Sequence, residues 1–468
     1  MMKRLLLLPL LVLLVSCAPS LPRPDQLVFP PLTLQIPAID RIDLPNGIRL
    51  YLREDHELPL VEITAMLGAG SISDPAELTG RGGLYAAVLR SGGAGERTPE
   101  AFDAQVEALA ANLQVAADSY ATSIDLSLQT ADLETGLGLL ADMLRRPGFA
   151  PERLELARKQ AIEGVRRQDD DPGSVAQRAL MAALYGDHPL GRTPTVESLG
   201  KISREDLLAF HRQAAHPDQL WLAISGDFDR AALLAQLEQL LGDWPRGNQP
   251  TQTLPPVTAG PRPGVLLAPK EIPQTTILLG ELGIDKDAPD LHPVRVMNFI
   301  LGGGGFNSRL MREIRSDRGL AYSVYSHFQI GRRLPGAFFA GAETKSASTF
   351  EVVGLIRQQM EALRQTPVSA TELALAKESL INSFVFAFTD THEVVTQQLR
   401  LDYYGYPADY LQRYQQSVAA VTAEQVQQAA RERLDPARQT IVLVGDRQQF
   451  DAPPESLGLP VEVIQKKD

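Results

Sequence analysis

Cysteine is all but missing from this chain: Cys17 is the single copy in 468 residues. No intrachain disulfide can form, and the rest of the chain has no thiol to act as nucleophile or metal ligand. Histidine is scarce too. His56, His188, His211, His216, His292, His327 and His392 include no pair three or four residues apart. That spacing is the one that sets two imidazoles on one helix face around a metal. Each histidine therefore reads as a surface or satisfied core residue. The chain has no Gly-x-Ser-x-Gly elbow and no Walker loop, which removes two common hydrolase signatures. Beyond the amino terminus no apolar run is long enough to cross a bilayer. A formal charge of −12 argues against nucleic acid as a partner.

Other features are present in full. Hydrophobic residues make up 44% of the chain, so a core of normal size can be buried. Met1-Met-Lys-Arg4 is a basic head, followed by an apolar run from Leu5 to Val15. That run suits a secretory signal and is too short for a mature membrane span. It ends in Leu14-Val-Ser-Cys17, which resembles the bacterial lipobox. The expectation is a signal peptide over residues 1–17 and a lipid anchor on Cys17. Ala18 after the cysteine resembles lipoproteins sorted to the outer membrane, which places the chain in the periplasm. Residues 18–38 are rich in proline and read as a tether.

An internal repeat organises the rest. Leu156 and Leu375, Ile202 and Val421, Pro217 and Pro436, Gly226 and Gly445, and Asp227 and Asp446 all stand 219 residues apart. Shared landmarks in one register predict two homologous domains. Their expected bounds are 39–247 and 264–463, with a linker of proline and threonine over 248–263. Alternating stretches such as Leu60–Met66 and Ala121–Leu128 predict strands. Helical patterns cover Gly83–Leu89, Pro99–Ala111, Asp132–Leu144, Pro151–Gln168, Pro172–Leu184 and Ser203–Ala215. Runs of strands and of helices without strict alternation indicate an α+β fold. Each domain is then a largely antiparallel sheet with helices packed on one face.

One stretch carries most of the functional signal. Gly302, Gly303, Gly304 and Gly305 form a run able to take left-handed or strained conformations. Phe306, Leu310, Met311 and Ile314 recur at helical spacing, predicting a helix over Asn307–Ser316 with one buried face. Gly319 can stop that helix, and Tyr322–Tyr325 looks like a strand. Arg315 and Tyr322 flank the turn, seven residues apart. A guanidinium and a phenol there could both donate to one oxygen-rich ligand such as a peptide backbone.

From Ile42 to Asp446 the chain resembles the insulinase/pitrilysin peptidase family, in particular the short bacterial members that work as two-subunit pairs. The resemblance implies a mitochondrial-processing-peptidase-like metallohydrolase fold. In zinc-bearing members a His-x-x-Glu-His helix follows an approach recognisable here as Gly70-Ser-Ile-Ser-Asp-Pro75 and Gly83-Leu84. The ligand positions hold Ala86, Leu89 and Arg90 instead, and the third ligand falls on Gly164, beside Glu163. Alanine and leucine offer no lone pair, and arginine repels a cation. The second half keeps Ser308-Arg-Leu and Arg315-Ser-Asp-Arg-Gly-Leu-Ala-Tyr322. In the family this arginine and tyrosine bind substrate backbone and stabilise the oxyanion across a chamber. Gly302–Gly305, with Phe306, resembles the substrate-side loop.

The resemblance therefore implies a chain that binds no cofactor itself and acts beside a zinc-bearing sister subunit. The zinc, its water and the glutamate base would come from that sister, and Arg315 and Tyr322 from this chain. Substrates would be unstructured peptides held as an added strand on a sheet edge. A non-catalytic scaffold or peptide-binding lipoprotein of the same fold is the alternative.

Overall fold

The computed structural model describes residues 36–247, 254–258, 262–388 and 390–464. The expected signal peptide, Cys17 and nearly all of the tether lie outside the described residues, as does most of the expected linker. From Ile36 onward the chain is one compact body.

The first half begins with β1 (Asp40–Asp43), β2 (Arg49–Glu54) and β3 (Leu60–Leu67). Helices α1 (Arg81–Ser91) and α2 (Pro99–Ala108) precede the hairpin β4 (Asn112–Ala117) and β5 (Thr122–Gln129). Then come α3 (Leu133–Arg145), α4 (Pro151–Arg166), α5 (Pro172–Tyr185), α6 (Val196–Lys201) and α7 (Arg204–Ala214). Strand β6 (Leu220–Gly226) and α8 (Arg230–Leu241) close the half. The second half runs β7 (Gly264–Pro269), β8 (Gln274–Leu282), α9 (Leu291–Asn298), β9 (Ala321–Phe328) and β10 (Ala337–Lys345). It continues with α10 (Thr349–Gln365), α11 (Ala370–Ser383), α12 (Thr391–Tyr403), α13 (Tyr410–Ala419) and α14 (Ala423–Arg433), then β11 (Thr440–Gly445) and β12 (Val461–Val463).

Each half builds a six-stranded sheet, ordered β1-β2-β6-β3-β5-β4 and β12-β7-β11-β8-β10-β9. Pairing is mostly antiparallel, with parallel contacts at β2–β6, β7–β11 and β7–β12. Strand β5 shows why these segments are strands. Ile124, Leu126 and Leu128 enter the core while Asp125 and Gln129 stay exposed, the period-two pattern of a pleated strand. The outer strands matter most for function: β4 ends one sheet and β9 ends the other.

The 219-residue repeat is visible element by element. Helices α7 and α14 begin and end 219 residues apart, and α4 and α11, and α5 and α12, begin 219 apart. Both members of the first pair start with a capping box, Ser203 with Asp206 and Thr422 with Gln425.

One face of each sheet carries helices of its own half, as the sequence predicts. The opposite face is covered by a helix from the other half. Ala176, Leu180 and Leu184 of α5 pack on Leu278, Val442 and Val444 of the second sheet. Val395 and Leu399 of α12 pack on Tyr51, Met66 and Ala223 of the first. A polar chain pins the start of α12 to that sheet. Thr64 donates to Asp125 at 2.6 Å, and its oxygen lies 2.9 Å from His392 Nε2, whose Nδ1 is 2.8 Å from the Ser225 hydroxyl. Burial holds His392 below the ordinary histidine range, so the ring is neutral at pH 7.

Candidate functional site

Residues 299–303 and 311–317 are wound more loosely than their spacing suggests. The expected single helix over Asn307–Ser316 is a 3₁₀ turn at Gly305–Asn307, a break at Ser308, and a π-helical segment from Met311 to Asp317. A π-turn widens the coil by one residue and often marks a functional position. Leu310 and Ile314 face the core as expected. Phe306 does not join them. It sits outside the helix, 67% exposed, because Gly305 at φ +57° redirects the chain just before it. Gly319, at φ +64°, ends the segment, and the Leu320 amide donates to the Ile314 carbonyl at 2.9 Å.

Strand β9 then presents Tyr322. Strict alternation would align Tyr322 with Val324, Ser326 and Phe328, all buried. The ladder to β10 slips instead, pairing Glu343 with Ser323 and Thr344 with Ala321, so Tyr322 is the extra residue of a β-bulge. Such a bulge re-aims a side chain, and Tyr322 is 81% exposed.

These pieces converge on Arg315. Its guanidinium carbon lies 4.7 Å from the Phe306 ring centroid and 4.5 Å from that of Tyr322. Two aromatic faces thus hold the cation by its π contacts. Among the described residues, neither the guanidinium nor the Tyr322 hydroxyl has a hydrogen-bond or ionic partner. Both sets of donors remain open toward solvent at the edge of the second sheet.

The glycines divide by role. Gly302 is buried, and a side chain there would run into the Ser326 amide at 2.3 Å, so it serves the close approach of the preceding turn to β9. Gly303 and Gly305 are exposed, and only Gly305 of the four has positive φ. The run is a packed turn around β9 more than an open loop.

The positions at which the resemblance implies zinc ligands in other family members lie on α1 and α4. Ala86 is buried, Leu89 belongs to the first core, and Arg90 is committed elsewhere. Its Nη1 pairs with Asp103 at 2.8 Å, and its Nε donates to the Leu113 carbonyl at 2.8 Å. Gly164 lines a cavity of about 640 Å³ with Gly83 and Ala87, whereas Glu163 points away and pairs loosely with Arg166 at 3.8 Å. The donor chemistry here does not fit a zinc ion. The open edge of β4 beside α1 carries no sequence signal of its own, because it depends on which strand ends the sheet.

Comparison with known proteins follows the two-half layout. Residues 49–195 match the insulinase family, peptidase family M16, and residues 201–380 match the peptidase M16 inactive domain. An uncharacterized zinc protease of Mycobacterium leprae (strain TN) is 27% identical over 403 residues, 84% of this chain and 89% of that protein. The non-peptidase homolog YmxG of Helicobacter pylori is 28% identical over 342 residues, 72% of this chain and 77% of that protein. The crystal structure of a peptidase M16 inactive domain from Pseudomonas fluorescens superposes with a TM-score of 0.79 at 28% identity, covering 87% of this chain and 98% of that one. A protease structure from Helicobacter pylori shares the fold at a TM-score of 0.77 and 16% identity, over 88% of this chain and 100% of that one. This chain belongs to the insulinase-like M16 peptidase family, with homology to the family's inactive domain over residues 201–380.

Proposed function

We propose that this chain is the non-zinc-binding subunit of a two-chain M16-type metallopeptidase, lipid-anchored through Cys17 in the periplasm. A sister subunit carries the zinc and, with it, the activated water. The observation that carries this reading is Arg315 held between Phe306 and Tyr322 with open donors, on a chain whose zinc-ligand positions are Ala86, Leu89 and Arg90. The Tyr322 phenol and the Arg315 guanidinium would donate to the substrate carbonyl as negative charge builds on its oxygen. Peptide substrates without stable structure suit donors that read backbone and not side-chain shape. The inactive-domain homology and the non-peptidase name of one relative support a chain that does not hydrolyse peptides alone.

Purification of the mature chain with its sister, followed by zinc quantification and peptide turnover, tests the reading. Zinc should follow the sister, and Tyr322→Phe in the pair should lower turnover by about 10²–10³-fold, the usual effect of losing one oxyanion donor. Stoichiometric zinc on this chain alone, or unchanged turnover by the Tyr322→Phe pair, contradicts it.

A further inference from the structure

Helix α12 crosses one face of the first sheet and stops before that face does. Alternation sets Arg49 in step with Tyr51, Trp221 with Ala223, and Gly68 with Met66, so all three share the face that α12 covers. Tyr403, the last residue of α12, packs edge-on against Trp221 at 4.8 Å between ring centroids. Beyond it lies a cavity of about 200 Å³, lined by Arg49, Gly68, Tyr120, Gln219, Trp221 and Arg333 among others. Arg333 comes from the second half, on the turn between β9 and β10. The cavity therefore sits where the two halves meet.

Both arginines reach it without an acidic partner. The Arg49 guanidinium carbon lies 4.7 Å from the Trp221 ring centroid, and that of Arg333 lies 4.7 Å from the centroid of Tyr403. Their hydrogen bonds go to backbone carbonyls: Arg49 Nη1 donates to Asp218 at 3.2 Å and Arg333 Nη2 to Tyr403 at 3.3 Å. Among the described residues neither guanidinium has a carboxylate in ion-pair contact. Asp218 is the one carboxylate among the described lining residues, and its Oδ1 accepts from the Gly247 amide at 2.9 Å. Asp118, on the neighbouring hairpin, pairs with Arg332 at 3.1 Å. Two like charges around one small space repel, and Arg49 is half-buried as well. An independent feature adds a neutral donor. A side chain at Gly68 would meet the Gln219 amide oxygen at 2.5 Å, and Gly68 does not have positive φ. This glycine thus leaves room for the Gln219 amide, which has no hydrogen-bond partner among the described residues.

We infer that this cavity binds a small oxyanion, a phosphate or a carboxylate, between Arg49 and Arg333 with the Gln219 amide as a further donor. A guanidinium offers paired N–H groups at the spacing of two oxygens on such an anion. An aromatic ring against its face leaves the N–H groups on its rim available. A water molecule occupies about 30 Å³, so 200 Å³ admits an anionic group of a few atoms and excludes a folded segment. The anion would join a strand of the first half to a turn of the second, and binding to the folded state alone raises stability. The site uses neither Arg315 nor Tyr322 and needs no partner chain, so it goes beyond the proposed two-chain activity.

The mature chain carrying Trp244→Phe keeps Trp221 as its single indole and serves as the parent for the test. Titration with sodium phosphate, at an ionic strength held constant with chloride, should change its emission saturably and raise its Tm. Arg333→Gln, at an exposed position, and Arg49→Gln should each weaken binding by about tenfold or more, the effect of losing a charged hydrogen bond. Triglycine and its C-terminal amide, titrated in the same way, separate the two sources of the anion. Tighter binding of the acid than of phosphate, with none of the amide, identifies a peptide carboxylate, and the reverse order identifies free phosphate. Neither a saturable signal nor a rise in Tm with either anion overturns the inference. Undiminished binding in both arginine variants overturns it as well. The assay involves no turnover and no zinc, so its failure is distinct from failure of the two-chain reading.

Discussion

Two side chains show how single-residue placement decides chemistry here. Tyr322 is exposed only because β9 carries one residue more than β10 at that point. Arg315 is held there by rings, not by a carboxylate, which leaves its fork of donors free. The spacing of seven that joins them is written in the sequence, but the bulge is not, because it depends on the register with β10. Glu281 is the opposite case, a charge placed where the fold disfavours it. Burial pushes its carboxyl up to about 7, against donors from the Asp435 amide and Gln439. A carboxyl whose folded pKa is raised stabilises the fold fully below its unfolded value, near 4.5, and loses that contribution as pH rises through 7. Glu281→Gln retains an acceptor oxygen and removes the titration. The variant should match the parent at pH 4.5 and gain about 2 kcal/mol above pH 7.5, read from urea unfolding at both values. A constant difference across that range would show that Glu281 is ionised in the folded chain throughout.

At the scale of elements, the repeat makes paired measurements possible. Helices α7 and α14 have equal length and equivalent capping boxes, one in each half. Ser203→Ala and Thr422→Ala remove the side-chain acceptors for the Asp206 and Gln425 amides. Each should cost about 1 kcal/mol, seen as faster amide exchange in the first turn of its own helix. A change in only one of the pair would mean that one helix start is fixed by packing instead of by its cap. The same pair explains what could be read in advance. Helical spacing and alternation are local signals, and they locate α7, β5 and the edges of α4 within a residue or two, while the 219-residue offset carries the position of α7 to α14. The π-helical turns could not be read. Phe306, Leu310, Met311 and Ile314 fit an ordinary helical face in the sequence, and the close approach of Gly302 to Ser326 depends on where the fold brings β9. The cavity at Gly164 was legible as a missing ligand set and not as a space, since emptiness depends on neighbours from α1, α4 and β4.

Across the whole molecule, the two halves are joined by exchange of equivalent helices. Helix α5 belongs to the first half by sequence and to the second sheet by packing, and α12 reverses the relation. An amphipathic pattern states that a face is buried without naming what buries it, so the exchange cannot be found from periodicity. Its consequence is thermodynamic. Removing either half would strip an apolar cover from the other sheet, so the halves should unfold together and not as two independent domains. Leu180→Ala tests this at one buried position of α5, where truncation of a leucine costs about 2–5 kcal/mol. The loss should appear in the sheet that α5 covers. Amide exchange should quicken at Val442 and Val444 of β11, more than 250 residues away in sequence, by the same factor as at Leu180's own helix. Protection lost in β3 and β6 alone, with β11 unchanged, would mean that α5 supports only its own half and that the coupling between sheets is absent.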